Sequence, residues 1–374
     1  GEFLEIIGYL VAILKIAKRP LRVLFVLVPI YWNVFLALAA WDAFTVSNWH
    51  YMGPRILTSL VFEYDCSSLL IAGLLYDDFL AMHDLLRKTF RPVLSMDAAL
   101  TKRFTRRRLI CYMQFISITV LSILIHYVGV TPFVGDPEGD LFHRLFVRRF
   151  FEDNYALVVL QFIVFYTVIS IMTFGSIVQV TMCMYSVIQI NFQYHLLVDD
   201  LNNKLMFHRD DFSLIEDYSH QQKISKNLKR CVEELLKIQA VATKFFKLQS
   251  PVILVSMVSG GMVVLVLLYL LLGGNRPFSH FKIAGGLFVA EYMVVTFCRL
   301  GQEYSNASVE FYDKLCELPW YYWGTNNRKM LLMILTNTKE LTISCFGLKD
   351  LNHTFLLYIN RIWYSIFCVA RKVK

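Results

Sequence analysis

A chain of 374 residues that is 56% hydrophobic, 15% aromatic and only 18% charged departs from soluble domains, in which about a quarter of residues are charged; it reads as an all-α, multi-pass membrane protein. Its formal charge of +8 does not call for nucleic acid, because basic residues in such chains gather in cytoplasmic loops. The eight cysteines stand singly, which excludes a CxxC metal centre or a disulfide framework, so neither a metal nor a cofactor is expected.

No cleavable signal peptide is expected, since the first apolar run is flanked by Lys15, Lys18, Arg19 and Arg22 and lacks a small-residue cleavage site. Runs long enough to cross a bilayer fall near 23–46, 56–80, 109–130, 155–190, 251–272 and 281–300. A seventh region, 330–370, is divided by Phe346-Gly347-Leu348-Lys349-Asp350. The expected organisation is therefore a segment 1–22, spans 1–4 over 23–190, a polar helical extension over 191–250, spans 5 and 6 with the first part of span 7 over 251–345, and the second part over 346–374. The fourth run is too long for one bilayer and should continue as helix towards Tyr194 and His195. In the extension, Val232, Leu235, Leu236, Ile238 and Gln239 sit near helical spacing, with a helix expected to fuse into span 5 at Pro251.

Arg87, Lys88, Arg91 and the Lys102–Arg108 cluster follow span 2, and a second basic group, from Lys204 to Lys247, follows span 4. By the positive-inside rule these loops are cytoplasmic, which places the N-terminus inside and the C-terminus outside. On that topology the sequons at Asn306 and Asn352 are not expected to carry glycans. The outer halves of the spans then hold Ser59, Phe62 and Glu63 on span 2, Thr119, Ser122 and His126 on span 3, Gln161, Phe165 and Tyr166 on span 4, and Leu265 and Tyr269 on span 5. Such a set suits either helix packing or an apolar pocket for a small volatile molecule, held by burial and one hydrogen bond. Glu63 and Asp65 are intramembrane carboxylates and so candidates for function, although a bond to Arg55 or a neighbouring helix is the plainer reading. Glu291 and Arg299 lie near one end of span 6.

The last apolar stretch, Leu351 to Ala370, carries Asn352, His353, Thr354, Asn360 and Arg361. A charge at the bilayer centre costs roughly 2.5–3.5 kcal/mol even on a lenient scale, so protein or water must solvate these groups. Asn360, Trp363, Phe367 and Ala370 fall at i, i+3, i+7 and i+10 and share one helix face. That face either bonds to neighbouring helices or, with several copies around an axis, lines water and closes at a ring of Phe367.

Gly301, Ser308, Tyr312, Leu318-Pro319-Trp320, Arg328-Lys329, Phe346-Gly347 and the closing Trp363-Tyr364-Ser365 together resemble the C-terminal region of the insect odorant receptor family. Asn337 departs from it where many members carry Arg, as does Trp363 where a small residue is common. The resemblance implies a subunit of a tetrameric ligand-gated cation channel. Its partners would be a small volatile ligand, an odorant co-receptor, the lipid bilayer and permeant cations. The last helix would line the pore, and Tyr312, Trp320, Arg328 and Lys329 would belong to the subunit anchor. The modest connection between spans 4 and 5 implies the odour-tuning subunit rather than the co-receptor. A G-protein-coupled receptor would need an Asp-Arg-Tyr after span 3 and an Asn-Pro-x-x-Tyr in span 7, and a gustatory receptor a closing Gln-Phe; none of these is present. GxSxG, HExxH and Walker A motifs are also missing, so an enzyme is not expected.

Overall fold

The computed structural model describes residues 11–45, 62–90, 98–130, 154–206, 215–273, 280–338, 342–345 and 349–373. These residues form nine principal helices: α1 Lys18–Thr45, α2 Glu63–Leu74, α3 Tyr76–Thr89, α4 Ala98–Val130, α5 Tyr155–Leu205, α6 Tyr218–Gly273, α7 His280–Cys316, α8 Thr325–Asn337 and α9 His353–Val373. Between α8 and α9 runs a two-residue antiparallel ladder, in which Ser344 pairs with Asp350 and Cys345 with Lys349. Among the described residues, four helices are long and apolar enough to cross a membrane by themselves: α1, α5, α6 and α7. α2 and α4 contribute shorter apolar stretches, Asp65–Leu74 and Tyr112–Leu121.

α5 is the spine of the bundle. It runs unbroken for 51 residues, past Tyr194 and His195, and from Val178 to Val187 every side chain is buried. A helix apolar all round must be enclosed on every side, and α5 accordingly packs against α1, α2, α3, α4, α6 and α7. α6 is equally continuous, running through Pro251 into the fifth span. Its polar half buries Ile224, Leu228, Cys231, Leu235, Ile238, Ala242 and Phe245, an alternation of fours and threes that forms a coiled-coil-like seam. That seam differs from the expected one: Val232 only flanks it and Leu236 is exposed, because the stripe follows the heptad interval rather than the local apolar cluster.

The expected second span also differs. It breaks at Leu75 into α2 and α3, where Asp77 and Asp78 turn the chain polar. α3 lies beyond the apolar stretch and pins the N-terminal helix: Lys15 Nζ is 2.8 Å from Asp84 Oδ1, Lys18 Nζ is 2.8 Å from Asp77 Oδ1, and the Tyr76 hydroxyl donates to the Leu14 carbonyl at 2.7 Å.

Candidate functional site

Two regions carry the sequence-predicted residues: an aromatic cluster where α1, α2 and α5 meet, and the last helix with its seat on α7. Trp32 of α1 centres the first. Its indole is 1% exposed and lies 5.4 Å, ring centre to ring centre, from Phe62 at the head of α2 and 6.0 Å from Phe165 of α5. Edge-on and tilted contacts of this kind add to the gain from burying the rings. Phe165 also meets Tyr166 at 5.9 Å, and Gln161 Nε2 donates to the Tyr31 hydroxyl at 2.6 Å. Phe62 and Phe165 are thus brought onto Trp32, a tryptophan that carries no sequence signal, with Gln161 bonded to the neighbouring Tyr31 and Tyr166 against Phe165.

Glu63 opens α2. Ser67 donates to its Oε1 at 3.5 Å and the Asn33 side chain reaches it from α1. Its Oε2 is buried without a hydrogen-bond partner, as are the Trp32 indole N–H and the Thr119 hydroxyl on α4. Buried polar groups are normally paired, and these three atoms are among the exceptions in the described residues. Asp65 is used differently: it is buried and accepts a hydrogen bond from the Ser176 hydroxyl of α5, where Gly175 lets the two helices close up. Tyr166 faces outward into a groove of about 440 Å³ with Val159, Ile163, Thr167 and Ser170. A second groove, of about 420 Å³, runs between α4 and α7. Leu265 is half-buried on α6. Ser59 lies outside the described residues, as do the side chains of Ser122, His126 and Tyr269.

The last helix starts in a rigid seat. A Cβ on Gly301 would lie 1.9 Å from the Leu351 carbonyl oxygen, so only glycine admits the chain at this point of α7. Asn352 then caps α9, its Oδ1 accepting from the Phe355 amide at 2.9 Å, a standard way to satisfy a first-turn donor. The Gln302 side chain accepts from the His353 amide at 3.4 Å. Further along, Asn360 Nδ2 donates to Glu291 Oε1 on α7 at 3.1 Å. Asn360, Trp363 and Phe367 are half-buried along the side that meets α6 and α7, whereas Tyr358, Arg361, Tyr364 and Ser365 are exposed on the other side. The side chain of Ala370 and residues 346–348 are outside the description.

The anchor candidates surround the Trp320–Tyr322 turn. Arg328 donates from Nε to the Trp323 carbonyl at 2.7 Å and from an Nη to the Tyr321 carbonyl at 3.0 Å. Gln221 of α6 locks the same turn: its Oε1 accepts from the Gly324 amide at 2.7 Å and from Asn327 Nδ2 at 2.9 Å. With the turn held, Tyr312, Trp320 and Lys329 point outward, joined by Leu332 and Met333 of α8. Gln221 and Asn327 carried no sequence signal, because their roles depend on a contact more than 100 residues apart. Among the described residues no three His, Cys, Asp or Glu side chains come together as a metal centre would need.

A sequence model described as 7tm Odorant receptor matches residues 81–352. No curated protein matches the chain. Among solved structures, the insect olfactory receptor OR5 from Machilis hrabei in complex with eugenol is similar, with a TM-score of 0.59 at 14% identity over 96% of this chain and 90% of that one. A second structure of the same receptor gives a TM-score of 0.63 at 13% identity, over 96% and 89%. At such identity the likeness speaks for the fold. It extends over nearly the whole chain, beyond the residues that the family model matches.

Proposed function

This chain belongs to the 7tm odorant receptor family, and on that premise we propose that it is the odour-tuning subunit of a ligand-gated, non-selective cation channel. A small volatile molecule binds among Trp32, Phe62, Glu63, Thr119, Gln161, Phe165 and Tyr166, with Ser59, Ser122, His126, Leu265 and Tyr269 as further candidates. The chain crosses the membrane seven times with its N-terminus inside and its C-terminus outside, and residues 191–250 extend the bundle into the cytoplasm. Four subunits, co-receptor included, meet through Tyr312, Trp320, Arg328 and Lys329 and place α9 around a common axis in the plasma membrane of a sensory neuron. The eugenol complex of the similar receptor supports a small organic ligand, and the unpartnered Trp32 indole N–H and Glu63 Oε2 support a ligand with one polar end.

One observation carries the channel reading. The side of α9 turned away from its own subunit bears Arg361, a charge that lipid does not solvate. Copies of α9 around an axis supply the missing water, and the half-buried Phe367 narrows the path, with Asn360, Trp363 and Ala370 as further pore candidates. Ligand binding needs to favour the open arrangement by only a few kcal/mol to shift the population.

The test is electrical. Expressed with a co-receptor, the chain should give volatile-evoked cation currents, and Phe367→Ala should raise the resting current. Signals that require a G protein and persist without a conductance would overturn the reading, as would an intracellular C-terminal epitope tag.

A further inference from the structure

We propose that the groove between α4 and α7 holds one anionic phospholipid of the cytoplasmic leaflet. The groove is about 420 Å³ and open to the outside of the bundle, room for an acyl chain rather than a folded partner. Ile110 and Met113 form its wall on α4, and Tyr292 and Val295 the facing wall on α7. All of these except Tyr292 are exposed in the single chain. On the seven-span reading the two helices run antiparallel, which sets the start of α4 beside the later part of α7.

The mouth of the groove is basic at that end, although α7 itself turns acidic beyond it at Glu303, Glu310 and Asp313. Arg299 closes the groove on α7, giving its Nε to Glu303 at 3.1 Å and keeping its terminal nitrogens for an anion, since a guanidinium has five donors. On α4, Arg106 stands one turn before Leu109 and Ile110 on the same face, and Lys102 one turn earlier; both are exposed. Glu303 offsets one of these three positive charges, and the balance stays positive. Two to three turns deeper, Gln114 and Ser117 offer donors to ester carbonyls. A cationic mouth above an apolar slot is the shape of a headgroup with its chain below. The loop charges place that mouth at the cytoplasmic surface, where anionic lipids concentrate.

The inference rests on the membrane reading of the chain but not on channel activity, so its test reads lipid rather than current. The full chain, purified in its assembly from nanodiscs of mixed phosphatidylcholine and phosphatidylserine, is analysed by native mass spectrometry. Phosphatidylserine should be retained in preference to phosphatidylcholine. Arg106→Gln and Arg299→Gln should each reduce that preference roughly fivefold, the change expected on removing one basic group from an anionic lipid surface. Val295→Trp, which fills the slot without touching the charges, should expel the lipid, and size-exclusion profiles check that each variant is folded. Equal retention of the two lipids, or an unchanged preference in the double arginine variant, would overturn the proposal. So would cross-linking between chains through Met113→Cys, which would make this face a contact between copies.

Discussion

Trp32 shows how a single atom separates packing from binding. Its rings fill the centre of the aromatic cluster, yet its indole N–H has no partner. Trp32→Phe keeps most of the ring contact and deletes the donor. Thermal stability should fall by about 1–2 kcal/mol for the indole volume vacated, with no hydrogen bond lost, while the concentration of a polar-ended volatile needed for half-maximal current should rise roughly 5- to 10-fold, the value of one net hydrogen bond. Equal potency in the two proteins would remove Trp32 from the site. Gly301 is the opposite case, a position set wholly by backbone. Because the clash at 1.9 Å is with a carbonyl and not a rotatable side chain, Gly301→Ala must push the start of α9 off α7. Overpacking of this kind costs about 1–3 kcal/mol, visible as a lower melting temperature of the purified protein; an unchanged melting temperature would mean that the seat is soft. The sequence marked Gly301, Asn360 and Glu291 as notable but could not pair them. Which carboxylate faces an asparagine 69 residues away is decided by the rotation of α9 about its axis, and helical spacing leaves that angle open.

At the scale of elements, legibility followed hydrophobic length. Long apolar runs predicted α1, α5, α6 and α7, and the continuation of α5 past the membrane followed from its length alone. The break between α2 and α3 was harder to read because apolar residues continue on both sides of Leu75, and only the ion pairs to the N-terminal helix make α3 a separate unit. α3 also carries a buried titration. The His83 ring stacks 5.6 Å from Tyr185 of α5, and burial lowers its pKa below the ordinary imidazole value, helped by Lys15 and Arg87, although Asp84 opposes it from 3.7 Å. The folded chain thus takes up this proton less readily than the unfolded one. Its contribution to stability is complete above the ordinary value near 6.5 and is lost as pH falls below it. Asp84, held low by Lys15, loses its own contribution only below the ordinary carboxylate range, so the two windows do not overlap. The melting temperature should fall from pH 7 to pH 5, and His83→Phe, which keeps the stack, should flatten that slope. A slope unchanged in the variant would assign the acid sensitivity to another group.

For the whole molecule, the decisive quantity is what solvates the outer side of α9. Inside one subunit, α9 is held along a single side: Asn360 reaches Glu291, and Leu351 is locked on Gly301. The opposite side would meet lipid in a lone chain and the other subunits or water in an assembly. Arg361 reports on the difference because a guanidinium stays charged in every environment it meets. On a water-filled wall it repels passing cations by about 1 kcal/mol at a separation of 4 Å. Arg361→Gln should then leave surface expression unchanged and raise the unitary cation conductance, by up to about fivefold at that ceiling. If Arg361 instead lay against lipid, its removal would relieve a buried charge, so surface expression would rise and conductance stay the same. If it were paired across a subunit contact, the variant would assemble poorly and give fewer channels of unaltered conductance. Single-channel recording together with surface labelling separates the three outcomes, and only the first agrees with a pore built on the last helix.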